Sequence, residues 1–215
     1  MEASEVKGKK ILIELHYLPS LAYIGFLNAS SALIIDPDDI YSKQTYRNRC
    51  RIRGANSVED LIVPVKKISG QKTPMRQVEI DYGQKWINRH TRAIQSAYGK
   101  APFFEYYAEE LLSIYSQKPV LLMELNLLLL TKCLEVVELD KQPLIVSELD
   151  ETEKNSFLNL KNEINPKKTF SGDSGLMTME YFQVFGSNFA PNLSIIDLIF
   201  CEGPQARDYI MRTSV

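Results

Sequence analysis

KKILIELHYLPSLAYIGFLNASSALIID, residues 9 to 36, is the stretch on which the fold reading turns. Ile11 to Leu15 is a short apolar run of strand character. Leu21 to Asn28 predicts a short helix, and SALIID, residues 31 to 36, predicts a second apolar strand that ends in Asp36. Strand, loop, helix and strand in so few residues point to an α/β unit at the start of the chain.

Beyond it, the sequence PDD opens a turn, and KQTYRNRCRIRG follows at 43 to 54. Arg47, Arg49, Arg51 and Arg53 fall at every second position, with Tyr46, Asn48, Cys50 and Ile52 between them. Side chains of a strand alternate between faces, so a strand over 46 to 53 sets all four guanidinium groups on one side. A planar fork of donors suits phosphate or carboxylate. This strand is read either as an anion-binding strip or as a solvated face paired with Asp36, Asp38 and Asp39.

GANS at 54 to 57 marks a turn, DLIVPV at 60 to 65 a strand, and Gln77 to Asp81 a further short strand. Asp81 with Gln84 reads as a capping box for a helix running to Tyr98, where Gly99 ends it. Phe103 to Tyr115 and Leu121 to Leu139 predict two more helices. PLIVSEL at 143 to 149 is strand-like, Glu151 to Glu163 reads as an exposed helix, and 165 to 178 as a mobile loop. YFQVF at 181 to 185 predicts a last strand. Ser194 with Asp197 marks a helix start and Gly203-Pro204 a helix stop. Strands first and helices after predict one mixed α/β domain over 1–215, with N-terminal strands and a largely helical second half.

Composition bounds the partners. The chain has 25 Lys and Arg against 27 Asp and Glu, a formal net charge of -2, so the arginine run is local and broad nucleic-acid binding is not expected. Cys50, Cys133 and Cys201 are far apart and read as free thiols of a reducing compartment. Pro119 to Leu139 carries Glu124, Asn126, Lys132 and Glu135, too polar to span a bilayer. No signal peptide is read at the N-terminus, and a cytoplasmic location is expected.

Candidates for chemistry are few. There are two histidines. Trp86, His90, Ile94 and Tyr98 share one helical stripe, which turns His90 inward, either as a general base or as a hydrogen-bonded core residue. His16 ends the first strand, where α/β sheets bind ligands. Asp36, Asp38 and Asp39 suit a divalent cation or, equally, a turn, and no metal is assigned. Asn126, inside a leucine-rich helix, needs a buried partner, expected across helices. No glycine-rich phosphate loop, nucleophile elbow or zinc-protease motif is present.

YLP at 17 to 19, IDPDDIYSKQTYRNRCRI, LIVPVK at 61 to 66, WINRHTRAIQSAYGKAPFFEYY at 86 to 107, YFQVF and FAPNLSIIDLIFCEGP together resemble the WbqC-like family, in order and over most of the chain. The resemblance implies that Tyr17, Pro19, Asp36, Lys43, Asn48, Arg49, Trp86, His90, Tyr98, Asn126, Gln183, Ser194 and Asp197 occupy motif positions. Glu14 and Leu15 stand where the family commonly has Gln-Pro, Ser20 where it has Trp, and Ala22 where it has Gly. The resemblance also implies a role in surface-polysaccharide (O-antigen or capsule-type) biosynthesis, transferring a small amino-acid or acyl group, such as glycine, to a sugar or nucleotide-sugar. By analogy of layout, the strand, YLP loop, helix and strand match Rossmann domains of the nucleotidyltransferase type.

Two readings follow. In the first, an enzyme binds an anionic nucleotide-sugar or activated acyl donor on Lys43, Arg47 and Arg49. His90 is its base, Asp36 orients a partner or holds a cation, and Tyr17, Asn48, Asn126 and Gln183 line the site. In the second, a non-catalytic module binds an anion or a partner protein. Cofactor and oligomeric state have no signature in the sequence.

Overall fold

The computed structural model describes residues 3–67, 72–149, 156–167 and 179–212. A short helix, α1 (Ala3–Val6), leads into β1 (Lys10–Leu12), α2 (Leu21–Ala29) and β2 (Ala32–Ile35). β1 and β2 run parallel, with Ile11 opposite Leu33. Every residue of α2 from Leu21 to Leu27 is buried, as expected of a helix that is apolar all round. The strand–helix–strand unit thus forms from the residues that predict it, although the first ladder is shorter than Ile11 to Leu15. Past Leu12 the Ile13 N–H still reaches β2, at the Ile34 carbonyl, and Glu14 to His16 follow β1.

β3 (Arg49–Arg53) and β4 (Val58–Ile62) form an antiparallel pair. Cys50 and Ile52 are buried while Arg49, Arg51 and Arg53 are half-buried, so the period-2 alternation holds. Arg47 lies ahead of the strand, with a different environment. The helices α3 (Trp86–Tyr98), α4 (Phe104–Ser113) and α5 (Leu122–Val136) follow, the fourth continuing into a 3-10 turn over Ile114–Gln117. β5 (Pro143–Ile145) and β6 (Leu158–Asn159) complete a four-stranded parallel sheet in the order β5-β2-β1-β6. α6 (Ile195–Glu202) and α7 (Ala206–Arg212) close the fold. The result is a mixed α/β architecture.

Several local expectations change. Leu158–Asn159 is a strand where a helix over Glu151 to Glu163 is predicted; residues 151–155 lie outside those described. A charged segment can be edge strand when only two residues reach the ladder. Residues 181 to 185 form no strand: the Gln183 amide bonds both the N–H and the carbonyl of Ala190, and Arg53 donates to the Phe185 carbonyl, which gives this segment side-chain partners instead of a ladder. Gln77 to Asp81 joins a 3-10 turn (Met75–Gln77) to two single bridges, Val65 to Ile80 and Glu79 to Leu121. Asp81 accepts from Gly83 N–H, a turn ahead of α3, rather than capping the helix. Gly203-Pro204 ends α6, but the chain re-enters helix at Ala206. Most of the expected loop at 165–178 lies outside the described residues.

Candidate functional site

The strand order marks the position at which open α/β sheets place a ligand crevice. The chain leaves β1 toward β2 on one side, and β6 pairs with β1 on the other. The C-terminal ends of β1 and β6 are therefore the position at which a ligand is expected, and Glu14, His16 and Arg47 are buried there. Glu14 and His16 follow β1, Asp36 and Asp39 follow β2, and Lys161 and Asn162 follow β6. Arg47 reaches the same place from the segment before β3.

These residues form one network. Arg47 donates from Nε and Nη2 to Asp39 Oδ2 at 3.1 and 2.7 Å, and from Nη1 to Asn162 Oδ1 at 3.1 Å and Glu14 Oε1 at 3.5 Å. Asn162 N–H donates to Glu14 Oε2 at 2.9 Å. Lys161 Nζ lies 2.7 Å from Asp36 Oδ2 and 3.5 Å from Asp39 Oδ1. Three carboxylates face two cations, a local balance of -1 with His16 neutral. Asp36, Asp38 and Asp39 form a turn, with Asp38 N–H donating to Asp36 Oδ1.

Glu14 and His16 are a buried pair with Glu14 Oε1 3.5 Å from His16 Nε2. Burial works to raise the Glu14 carboxyl, but the bond from His16, the Arg47 charge and the Asn162 N–H outweigh it and hold the carboxyl down at about 2. Burial also lowers His16, against the pull of Glu14, so the imidazole is neutral near pH 7. An ionised carboxylate only accepts, which places the ring proton on Nε2. His16 Nδ1 has no hydrogen-bond partner among the described residues, and neither do Ser20 Oγ and Tyr23 OH, all three buried. The His16 and Tyr23 rings are 4.6 Å apart.

The start of α2 is held from across the chain. Leu21 N–H donates to the Leu193 carbonyl and Ala22 N–H to Asn192 Oδ1, while Ser194 Oγ donates to the Leu18 carbonyl. The first two bonds take the Leu21 and Ala22 N–H donors, which a helix N-terminus otherwise offers to phosphate. Leu18 sits at φ 41, in the left-handed region that branched residues rarely adopt.

The WbqC-like protein family matches residues 15–180, more than three quarters of the chain. The chain belongs to this family. It is also similar to the uncharacterized protein Rv1507c of Mycobacterium tuberculosis, 26% identical over 227 residues that cover 94% of this chain and 97% of that protein. No solved structure matches.

The motif positions divide among several places. Of the positions expected from the resemblance, Asp36 joins the network directly. Asn126 supports it: its Nδ2 donates to the Arg47 carbonyl at 2.7 Å and reaches the Leu15 carbonyl at 3.5 Å, so its partners are two loops and not another helix. Asn48 Nδ2 donates to the Val63 carbonyl. Lys43 is exposed on the turn between β2 and β3. Arg49 and Arg51 both reach Asp60, at 2.9 and 3.2 Å, on the facing strand. Arg49 Nε has no hydrogen-bond partner among the described residues.

Tyr17 and His90 meet each other elsewhere. Tyr17 OH lies 2.8 Å from His90 Nδ1 and also bonds Tyr115 OH, and His90 Nε2 donates to the Ile62 carbonyl at 3.1 Å. A carbonyl only accepts, so Nε2 carries the proton and Nδ1 accepts from Tyr17. Burial holds His90 down at about 4, and it is neutral with both nitrogens engaged. It borders a hollow of about 480 Å³ that Asp60 and Arg89 also line. Gln183 lies apart, with Tyr181, beside the buried carboxyl of Asp197.

Glu14, Lys161 and Asn162 carry no sequence signal that marks them as site residues. His16, at a strand end ahead of YLP, is the one clue. Among the described residues no helix is long and apolar enough to cross a membrane.

Proposed function

We propose that this chain is a group transferase of bacterial surface-polysaccharide assembly, moving a small amino-acid or acyl group onto a sugar or nucleotide-sugar. The observation that carries the reading is the network above β1 and β6. There, charged and hydrogen-bonding groups from four separate segments converge at the edge where parallel sheets bind substrates. Membership of the WbqC-like family supports the pathway. Arg47 and Lys161 supply the cations for an anionic donor, with Lys43 and Arg49 outside the network as further contacts. Asp36 orients Lys161, and Asn126 and Asn48 fix the loops.

A thermal-shift panel of nucleotide-sugars, acyl thioesters and inorganic phosphate tests the reading, because a ligand of the native state raises the melting temperature by mass action. One donor class is expected to stabilise the protein, and Lys161→Ala to remove the effect. If no class shifts the melting temperature, the reading fails.

The pairing of Arg47 with the chain's own carboxylates also suits a second reading, a non-catalytic module that exchanges Asp39 for a partner's acidic group. A donor that binds without turnover in the presence of any sugar acceptor favours the module.

A further inference from the structure

We propose that His16, oriented by Glu14, is the general base of the crevice and takes the proton from a hydroxyl or amine acceptor. This rests on the transfer reading above and adds the group that activates the acceptor.

Four observations carry it. First, Glu14 fixes the tautomer, because its carboxylate binds the Nε2 proton and leaves the lone pair on Nδ1. Second, Nδ1 is buried without a hydrogen-bond partner among the described residues. Buried polar atoms are seldom left so, and an orphan at a strand end calls for a ligand. Third, the orphan is not alone. Ser20 and Tyr23 stand three residues apart at the start of α2, on one helical face, and the Tyr23 ring lies against His16. Their hydroxyls lack hydrogen-bond partners among the described residues as well, and of the two it is Tyr23 whose ring packs on the base. Fourth, the other histidine is spent: His90 has both nitrogens engaged. The Nε2 to Glu14 distance of 3.5 Å is long for a hydrogen bond, and such contacts tighten once substrate is bound.

The step balances without a redox partner. The acceptor oxygen or nitrogen attacks the carbonyl carbon of a thioester or ester donor while its proton passes to His16 Nδ1. The new bond to carbon forms, the bond to the leaving thiol or alcohol breaks, and the imidazolium returns the proton to that leaving group. Glu14 is a positioning residue that balances the imidazolium charge. The charged and titratable groups around His16 are Glu14 and Arg47, with Tyr23 and Tyr46 against the ring.

p-Nitrophenyl acetate, with water as acceptor, is the probe. Wild-type protein is expected to hydrolyse it, His16→Asn to lose on the order of 100-fold or more in kcat/KM, and His90→Asn to keep the rate. Added imidazole is expected to restore part of the rate in His16→Ala. In Glu14→Gln the base loses its facing negative charge, so the acidic limb of the pH–rate profile moves to lower pH, which a purely structural role does not produce. An undiminished rate in His16→Asn, an unmoved limb in Glu14→Gln, or no wild-type hydrolysis above buffer overturns the assignment. If it is overturned while a donor class still raises the melting temperature, only the base is lost. If no donor class does so either, the transfer reading falls with it.

Discussion

The Arg47 guanidinium meets Asp39 Oδ2 at 2.7 Å with its side chain only 1% exposed, although Arg47 belongs to a run whose other arginines are partly exposed. Carboxylates that lose their guanidinium, here the half-buried Asp39 and the buried Glu14, are uncompensated charges. Arg47→Met is therefore expected to cost about 3–5 kcal/mol in chemical denaturation. Arg47→Met with Asp39→Leu is expected to recover much of that loss, since a buried pair is often replaceable by apolar groups. A double variant as unstable as the sum of both singles argues against the pair.

Arg49 behaves differently. It shares Asp60 with Arg51 at the surface, and such pairs contribute about 0–1 kcal/mol. Arg49→Ala is expected to leave stability within that range. It is also expected to weaken binding of a phosphorylated donor by about 1.5–3 kcal/mol, the scale of a charge-assisted hydrogen bond. Calorimetry with the folded variant reads both quantities, and unchanged affinity removes Arg49 from the donor site.

His90 is expected to matter for stability. His90→Phe keeps a ring but strands the Ile62 carbonyl and leaves Tyr17 OH with Tyr115 alone, at a cost of about 1–3 kcal/mol. The melting temperature should fall, and p-nitrophenyl acetate hydrolysis by the protein that remains folded should persist. A variant with wild-type stability and no activity returns the catalytic role to His90.

Acid should unfold the protein in two stages. His16 and His90 are both held below their ordinary value of 6.5, so the unfolded chain binds more protons than the native one below that pH. Stability is full above about 6.5 and declines as pH falls through it. Glu14, held at about 2 against an ordinary 4.5, adds a second loss as pH falls from the upper value toward the lower. Denaturation curves across this range check both, and the first loss should shrink in His90→Phe.

Much of the fold is legible because local patterns agree with the tertiary structure. The alternation of Arg49, Cys50, Arg51, Ile52 and Arg53 reports its own burial, and the Trp86, His90, Ile94, Tyr98 stripe faces inward as its spacing requires. Asp39 is among the acids that the sequence offers to the arginines, whereas Asp60, on the facing strand, is not. The crevice is less legible because its contacts join distant parts of the chain. Glu14 receives its N–H from Asn162, 148 residues later, and no window of sequence contains both. β6 hides for a related reason: two residues are too few for a period, and their strand character comes from the neighbour they pair with.

The bonds from Asn192 and Ser194 to the start of α2 span 170 and 176 residues. A chain made from its N-terminus must therefore emerge past Ser194 before these bonds to the start of α2 can form. Contacts of such sequence separation slow folding, since loop closure precedes any gain from them. The β1–α2–β2 unit, apolar on every face of its helix, stays incomplete through most of synthesis. It is the part of the nascent chain that an aggregation inhibitor or holding chaperone would have to cover.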